Sequence, residues 1–159
     1  MRTAVLTVST TVARREADDV SGPLLAERAE EAGAEIVAME VVPDDFALLE
    51  DRLRHYVDDG VAFILTTGGT GLTPDDVTPE ATRAVLEREA PGFAEAIRSA
   101  SLQHTPMAPL MRGVSGVAGR TLIVNFPGSP RAIDQVFGVI APTLRHAAET
   151  LAGGGRAGH

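Results

Sequence analysis

The sequence predicts an α/β fold in which a mostly parallel sheet is covered by helices on both faces. Two observations carry this prediction. Short β-prone runs alternate along the chain with segments of helical periodicity. The runs are apolar almost throughout, as in strands that are buried on both faces. No repeat or linker interrupts the pattern, so residues 1–152 are predicted to form one domain, followed by a flexible glycine-rich tail at 153–159.

Four strands are predicted from these apolar runs. The first run is β-prone from end to end, and Pro43 stops the second. A glycine turn follows the third strand, and a turn of sequence PGSP follows the fourth. In chain order the predicted strands lie at residues 3–9, Glu35–Val42, 61–65 and 120–126.

Five helices are predicted between and after the strands. Their boundaries are marked by prolines in a first turn and by glycines or prolines beyond the end, with Ser21 as the N-cap of the first helix. Pro142 should kink the last one. Residues 10–20 are predicted to be a charged loop, and residues 103–119 show no clear period. The predicted helices lie at residues 21–33, 44–60, 78–91, 93–102 and 129–152.

A glycine-rich turn follows the third strand, in the run LTTGGTGLTPDDVTPEAT at residues 65–82. Its glycines permit backbone conformations that other residues disfavour, and they let the main chain approach a ligand closely. Such a turn can direct N–H groups at phosphate oxygens. Asp75 and Asp76 supply hard oxygen ligands of the kind that Mg²⁺ prefers. The combination predicts a phosphorylated substrate handled with a divalent metal.

The composition excludes several kinds of chemistry. All 14 basic residues are arginine, and the chain contains no lysine and no cysteine. A Walker A loop, a Schiff base, a thiol nucleophile, a disulfide and a zinc–thiolate site are therefore excluded. The four histidines show no ligand spacing. Catalysis must use carboxylates, hydroxyls, arginine, backbone dipoles and a bound metal.

The charge and hydropathy of the chain limit its partners and location. A net charge of −8 argues against nucleic acid or an anionic membrane as a partner. No apolar run approaches the roughly 20 residues of a membrane span, and the chain shows no charged-then-apolar leader. We therefore expect a cytoplasmic protein.

Four polar or glycine-rich features follow predicted strands and should line one edge of the sheet, where ligands bind in such folds. Each also has a simpler interpretation. Asp44 could only cap a helix, Asp75 and Asp76 could be solvated turn residues, and the PGSP turn could only stop a strand and start a helix with Ser129 as its cap. The features are Ser9 with Thr10, Asp44, the glycine turn and residues 127–130.

The runs TTGGTGLTPDDVTPEAT, LIVNFPGSPRAI and DDVSGP resemble the MogA/MoaB family of molybdenum-cofactor biosynthesis proteins, whose fold also occurs in gephyrin-type proteins. The resemblance extends over residues 5–151. It implies a three-layer α/β/α sandwich and a homotrimer. The implied activity transfers AMP from Mg-ATP to the terminal phosphate of molybdopterin and releases pyrophosphate. Hand-over of the product to a molybdate-insertion protein is also implied.

The resemblance also implies roles for individual residues. Asp44 and Asp76 match the family's two catalytic, metal-holding carboxylates. Two positions depart from the family pattern. The family commonly has Asp or Asn at the position of Thr10, and often Ser at the position of Met111. The alternatives are a non-catalytic molybdopterin-binding scaffold of the MoaB type and a CinA-like nucleotide pyrophosphatase. The positions implied to bind ATP or molybdopterin are Ser9, Asp19, Ser21, Gly22, Thr67, Gly68, Gly69, Thr70, Gly71, Ser101, Arg112, Pro127, Gly128, Ser129 and Pro130.

Overall fold

A computed structural model, which describes residues 1–154, contains one six-stranded sheet of order β2-β1-β3-β6-β5-β4. The first four strands in this order run parallel, whereas β5 is antiparallel to β6 and β4 is antiparallel to β5. The strands in chain order are β1 (Arg2–Val8), β2 (Glu35–Val42), β3 (Phe63–Thr67), β4 (Arg88–Glu89), β5 (Ser115–Ala118) and β6 (Thr121–Phe126).

In the described part of the chain, seven α-helices connect or follow the strands. Two 3₁₀ turns, Ala108–Leu110 and Ala141–Thr143, and a π-helical turn, Thr150–Gly154, complete the described elements. The helices are α1 (Thr10–Ala13), α2 (Ser21–Glu31), α3 (Phe46–Asp58), α4 (Thr78–Val85), α5 (Gly92–Leu102), α6 (Pro130–Ile140) and α7 (Leu144–Glu149). No helix within residues 1–154 is both long enough and apolar enough to cross a bilayer.

The core is divided between the two faces of the sheet, because successive strand residues point to opposite sides. On one face, Val5, Leu65 and Val124 lie opposite one another and pack with α2, α5, α6 and α7. On the other face, Leu6 and Ile64 pack with α3 and α4. The protein is therefore a three-layer α/β/α sandwich, and the predicted fold class is confirmed.

The four parallel strands lie where the sequence predicts them, but the other two strands are additions. The helix predicted at 78–91 ends at Val85, and Leu86 is extended with a ψ of 134°. The chain leaves the helix there because Arg88 and Glu89 pair with β5, which lies inside the segment predicted to lack a period. Strands of two and four residues are too short to show a period, so the sequence pattern did not reveal them.

Local details at the helix ends also differ from the sequence prediction. The predicted loop at 10–20 begins with the short helix α1. Ser21 is not a side-chain cap of α2: it is the first residue of the helix, and its hydroxyl accepts no hydrogen bond from an N–H of the first turn. The predicted kink at Pro142 is confirmed, because the 3₁₀ turn Ala141–Thr143 separates α6 from α7. Of the predicted tail at 153–159, residues 155–159 lie outside the described part of the chain.

Candidate active site

The carboxyl ends of β1, β2, β3 and β6 meet at one edge of the sheet, where three cavities adjoin. The first has a volume of about 400 Å³ and lies between the start of α2, Gly68 and Gly128. The second, of about 570 Å³, lies beside Asp44 and Asp75. The third, of about 350 Å³, lies between the glycine loop and residues 127–128. The four features predicted at this edge are thus brought together.

The glycine loop, residues 68–71, needs glycine for backbone and steric reasons. Gly68 and Gly69 have φ angles of +95° and +65°, a region that L side chains rarely adopt. A Cβ atom at Gly68 would clash with the carbonyl oxygen of Val8, and one at Gly69 with Thr78 Oγ1. Thr78 also ties the loop to α4, since its hydroxyl donates to Gly68 O at 2.9 Å. The loop is therefore a fixed surface with main-chain atoms exposed at the site edge.

Asp44 is not the cap of α3. Asp45 fills that role, because its side chain accepts a bond of 2.9 Å from Leu48 N. Asp44 Oδ2 instead accepts bonds from the Thr10 N–H at 3.0 Å and the Thr10 hydroxyl at 2.9 Å. Its other oxygen, Oδ1, lies 3.2 Å from the point where a Cβ atom at Gly69 would be. The carboxylate of Asp44 therefore packs directly against the glycine loop.

Asp76 is held in a comparable way. Its Oδ2 accepts bonds from the Thr73 N–H at 3.0 Å and the Thr73 hydroxyl at 2.8 Å, and lies 2.8 Å from the position of a Cβ atom at Gly71. Within residues 1–154, neither Asp44 nor Asp76 forms an ion pair, and the Oδ1 atom of each accepts no hydrogen bond. Both aspartates therefore place a carboxylate against the loop without an ion-pair partner in the described part of the chain.

Arg112 fixes the far end of the loop. Its Nε donates to Gly71 O at 2.7 Å, its Nη2 donates to Asp76 O at 2.8 Å, and its Nη1 pairs with the Glu80 carboxylate. Its backbone N–H donates to Thr70 O at 2.8 Å. The hydrogen bond from Arg112 is the main cause that lowers the pKa of Glu80. The guanidinium thus joins Gly71, at the end of the loop, to Asp76 and Glu80 in the segment that follows it.

The DVSG segment and the PGSP turn meet across the first cavity. Asp19 accepts bonds from Thr7 Oγ1 at 2.8 Å and from Gly22 N at 2.9 Å, so Asp19 rather than Ser21 caps α2. The Ser21 hydroxyl instead donates to Gly128 O at 2.6 Å. These bonds bring the N-termini of α2 and α6 to the same cavity.

The remaining predicted residues are placed as follows. Thr67 donates from Oγ1 to Pro127 O at 2.8 Å, and Thr70 is buried. Ser9 caps α1 by accepting from Val12 N. Ser129 caps α6, which begins at Pro130, so the simpler interpretation of that turn is also correct. Ser101 lies in the last turn of α5, and none of its hydrogen bonds within residues 1–154 reaches the glycine loop.

Three threonines at the site make contacts that the sequence did not indicate. Thr10 was predicted to lie at this edge together with Ser9, but without its contact to Asp44, and neither Thr73 nor Thr78 was predicted to lie at the site. A signal exists for Thr73, because a threonine three residues before an aspartate in a proline-containing turn is typical of side-chain-to-backbone turn motifs. Thr10 lies 34 residues from Asp44, and no local pattern reveals that contact.

Several acidic residues line the cavities at this edge, among them Asp19, Asp44, Asp75 and Asp76. In the described part of the chain, no group of three or more His, Asp or Glu side chains is arranged to hold a metal ion. A divalent ion here would therefore take at most two protein carboxylates and would complete its shell with other oxygen ligands. Mg²⁺ commonly binds in this way, through one or two carboxylates together with water and substrate phosphates.

The fold and the site define a three-layer α/β protein whose candidate ligand site lies at the carboxyl edge of its parallel strands. The chain belongs to the family described as the probable molybdopterin binding domain, whose model matches residues 4–146. The family resemblance seen in the sequence is thereby confirmed, because relatives and solved structures named as MoaB and MogA proteins match most of this chain.

Individual relatives agree with this assignment. The chain is 42% identical over 149 residues to the molybdenum cofactor synthesis protein cinnamon of Drosophila melanogaster, a match that covers 92% of this chain and 25% of that protein. It is 46% identical over 96 residues to the molybdopterin adenylyltransferase of Haemophilus influenzae, a match that covers 60% of this chain and 49% of that protein. The chain thus spans half or less of the length of these relatives.

A solved structure matches the whole fold. The crystal structure of the molybdopterin biosynthesis enzyme MoaB from Thermus thermophilus superposes with a TM-score of 0.90 at 45% identity, and the match covers 96% of each chain.

Proposed function

We propose that the protein is a molybdopterin adenylyltransferase, which transfers AMP from Mg-ATP to the terminal phosphate of molybdopterin and releases pyrophosphate. The observation that carries the proposal is the pair of carboxylates, Asp44 and Asp76, that pack against Gly69 and Gly71 and have no ion-pair partner within residues 1–154. Similarity to the adenylyltransferase of Haemophilus influenzae supports the same reaction.

The two aspartates suit a magnesium ion. Each has one oxygen that accepts two hydrogen bonds from a threonine and a second oxygen without a hydrogen bond from residues 1–154. Asp44 and Asp76 would therefore hold the ion with their Oδ1 atoms. When bound, Mg²⁺ would neutralise negative charge on the triphosphate of ATP.

The proposed reaction does not require a covalent bond between the protein and either substrate. An oxygen of the terminal phosphate of molybdopterin bonds to the α-phosphorus of ATP, and the bond from that phosphorus to the pyrophosphate oxygen breaks. The attacking phosphate is already anionic, so neither a protein nucleophile nor a strong general base is required. A chain without lysine or cysteine can therefore catalyse this transfer.

The contribution of the chain is to hold two anionic substrates in position despite its net charge of −8. The glycine loop lines the first and third cavities, and α2 and α6 begin beside the first. A helix N-terminus carries a partial positive charge and favours phosphate. These dipoles would bind phosphate groups and align the attacking oxygen with the α-phosphorus.

The proposal extends to the assembly and the pathway. We infer a homotrimer, hand-over of adenylylated molybdopterin to a molybdate-insertion protein and a cytoplasmic location. The trimer and the hand-over rest on the family resemblance, and the trimer rests also on the apolar residues exposed near the 3₁₀ turn Ala108–Leu110, such as Met107 and Leu110.

The reaction can be tested with purified protein, molybdopterin, Mg²⁺ and ATP labelled at its α-phosphate. The proposal predicts labelled adenylyl-molybdopterin and an equal amount of pyrophosphate, both dependent on molybdopterin. Binding of molybdopterin without any transfer would instead identify a scaffold protein. Release of AMP and pyrophosphate without molybdopterin would identify a nucleotide pyrophosphatase.

A further inference from the structure

We propose that Thr10 and Thr73 are positioning residues, each of which fixes one aspartate so that its Oδ1 atom is available to a divalent cation. This inference rests on the proposed function, because it concerns the metal-dependent binding of ATP. Neither threonine would touch the substrates in this account. Each would act through its aspartate.

The two Thr–Asp pairs have the same hydrogen-bonding pattern. In each, the backbone N–H and the hydroxyl of the threonine both donate to the Oδ2 atom of the aspartate, at 3.0 and 2.9 Å for Thr10 and at 3.0 and 2.8 Å for Thr73. In both cases Oδ2 receives two donors and Oδ1 receives none from residues 1–154. Each carboxylate is therefore held through only one of its two oxygens, Oδ2.

A third hydrogen bond closes each pair. The backbone N–H of Asp44 donates to Thr10 Oγ1 at 3.0 Å, and the backbone N–H of Asp76 donates to the carbonyl oxygen of Thr73 at 3.0 Å. Because the Thr10 hydroxyl accepts from the Asp44 N–H, its single proton is directed to the carboxylate. Rotation of either carboxylate would break two hydrogen bonds to a charged group.

The two pairs come from unrelated parts of the chain. Thr10 and Asp44 follow different strands and join the start of α1 to the end of β2, whereas Thr73 and Asp76 lie in one turn. Two different local structures thus hold a carboxylate in the same way on either side of the glycine loop. A carboxylate that is already oriented loses less conformational freedom when a cation binds.

The proposal predicts specific losses of ATP affinity, which calorimetry with Mg²⁺ and with a chelator can measure. Thr10→Val and Thr73→Val keep the shape but remove the hydroxyl donor, so each should weaken Mg-ATP binding about tenfold. Thr10→Ser and Thr73→Ser keep the donor and should stay near wild type. Without metal, all variants should bind ATP as the wild type does.

Matched controls separate positioning from structural damage. Thr143→Val removes a hydroxyl that donates to Ile140 O and lines none of the three cavities at the site, and Mg-ATP affinity should not change. In an Asp44→Asn background, Thr10→Val should add no further loss, since a residue that acts through Asp44 has nothing left to position. The same holds for Thr73→Val in Asp76→Asn. Thr73 is exposed, so its variants should fold even if Thr10→Val does not.

Several results would overturn the proposal. Serine variants that bind Mg-ATP as weakly as the valine variants would do so, and so would an equal loss of ATP affinity in chelator. Additive losses of affinity in the Asp44→Asn or Asp76→Asn background, or wild-type ATP binding that does not depend on Mg²⁺, would also overturn it. The adenylyl-transfer assay decides the proposed function separately. A protein that transfers no AMP but shows the predicted metal-dependent pattern would retain the positioning role and lose the proposed reaction.

Discussion

Arg112 Nε donates a hydrogen bond of 2.7 Å to the carbonyl oxygen of Gly71, although the two residues lie 41 positions apart in the chain. The same guanidinium donates to Asp76 O at 2.8 Å and pairs with Glu80. A planar guanidinium can serve three partners at fixed angles, which a single ammonium group does not do. The conformation of the glycine loop therefore depends on arginine at this position.

Arg112→Lys should destabilise the protein, because lysine cannot keep all three contacts. We expect a loss of about 2 kcal/mol in the free energy of unfolding, the typical contribution of hydrogen bonds to a charged group. Urea unfolding measures it. Arg2→Lys is the control, since its exposed ion pair with Asp59 should contribute less than about 0.5 kcal/mol. Equal effects of the two substitutions would show that Arg112 does not hold the loop.

Glu80 should make the stability depend on acid pH. Its pKa is lowered from the ordinary value of 4.5 because Arg112 donates to it. A carboxyl whose pKa is lower in the folded state adds stability above 4.5, and this contribution disappears as the pH falls through the lower folded-state value. The side chain is 45% exposed, so solvent screening limits the effect to less than about 1 kcal/mol.

Urea unfolding of Glu80→Gln and wild type between pH 7 and pH 3 tests this dependence. The difference in stability between the two proteins should be largest at pH 7 and shrink as the pH falls below 4.5. A difference in stability that stays constant with pH would contradict a stabilising ion pair between Glu80 and Arg112.

Gly69→Ala should damage both the fold and the site. Gly69 has a φ of +65°, and its new Cβ atom would clash with Thr78 Oγ1 and lie 3.2 Å from Asp44 Oδ1. We expect a destabilisation of at least about 2 kcal/mol and a loss of Mg-ATP binding. Thermal unfolding and calorimetry measure the two effects.

Gly138→Ala is the matched control for this change. Gly138 lies within α6, with no atom within 4 Å of the added Cβ position and no positive φ. Alanine should stabilise the protein by about 0.5–1 kcal/mol through its helix propensity. If Gly69→Ala were also neutral or stabilising, the loop would not require glycine at that position.

The parallel half of the sheet could be predicted from the sequence, because its strands are long enough to show apolar runs. Glu35–Val42 was predicted with both ends correct, since Gly33 and Pro43 bound it. The antiparallel edge could not be predicted in the same way. Strand β4 consists of two residues, Arg88 and Glu89, and both are exposed. Its pairing with β5 depends on tertiary contacts, which a local sequence pattern does not reveal.

The candidate site was predictable where it follows strand ends and unpredictable where it depends on distant contacts. The convergence of Asp44 with the glycine loop follows from the parallel topology alone. Asp45 rather than Asp44 caps α3, because Asp45 accepts from Leu48 N whereas Asp44 accepts from Thr10 N. The sequence could not indicate the contact between Thr10 and Asp44. The hydrogen bond from Arg112 Nε to Gly71 O likewise joins chain segments that meet only in the folded protein.

The assembly should be a homotrimer. Leu102, Met107 and Leu110 are about half exposed around the irregular segment, and a subunit contact would cover them. Light scattering should give about three times the 16.6 kDa mass of the chain. Met107→Asp should lower that mass while far-ultraviolet circular dichroism stays unchanged. A wild-type protein that remains at the monomer mass across concentrations would contradict the trimer.

Asp76→Asn tests the central claim most directly, through the rate of adenylyl transfer to molybdopterin at saturating Mg-ATP. Asparagine keeps the shape and one acceptor oxygen, so the change in stability should stay within about 1 kcal/mol. It removes the charge that would hold the metal against the triphosphate, so the rate should fall roughly a hundredfold or more. Asp75→Asn, at the exposed neighbour, should cause a much smaller loss. Near-normal transfer by Asp76→Asn, or equal losses at both positions, would contradict the account.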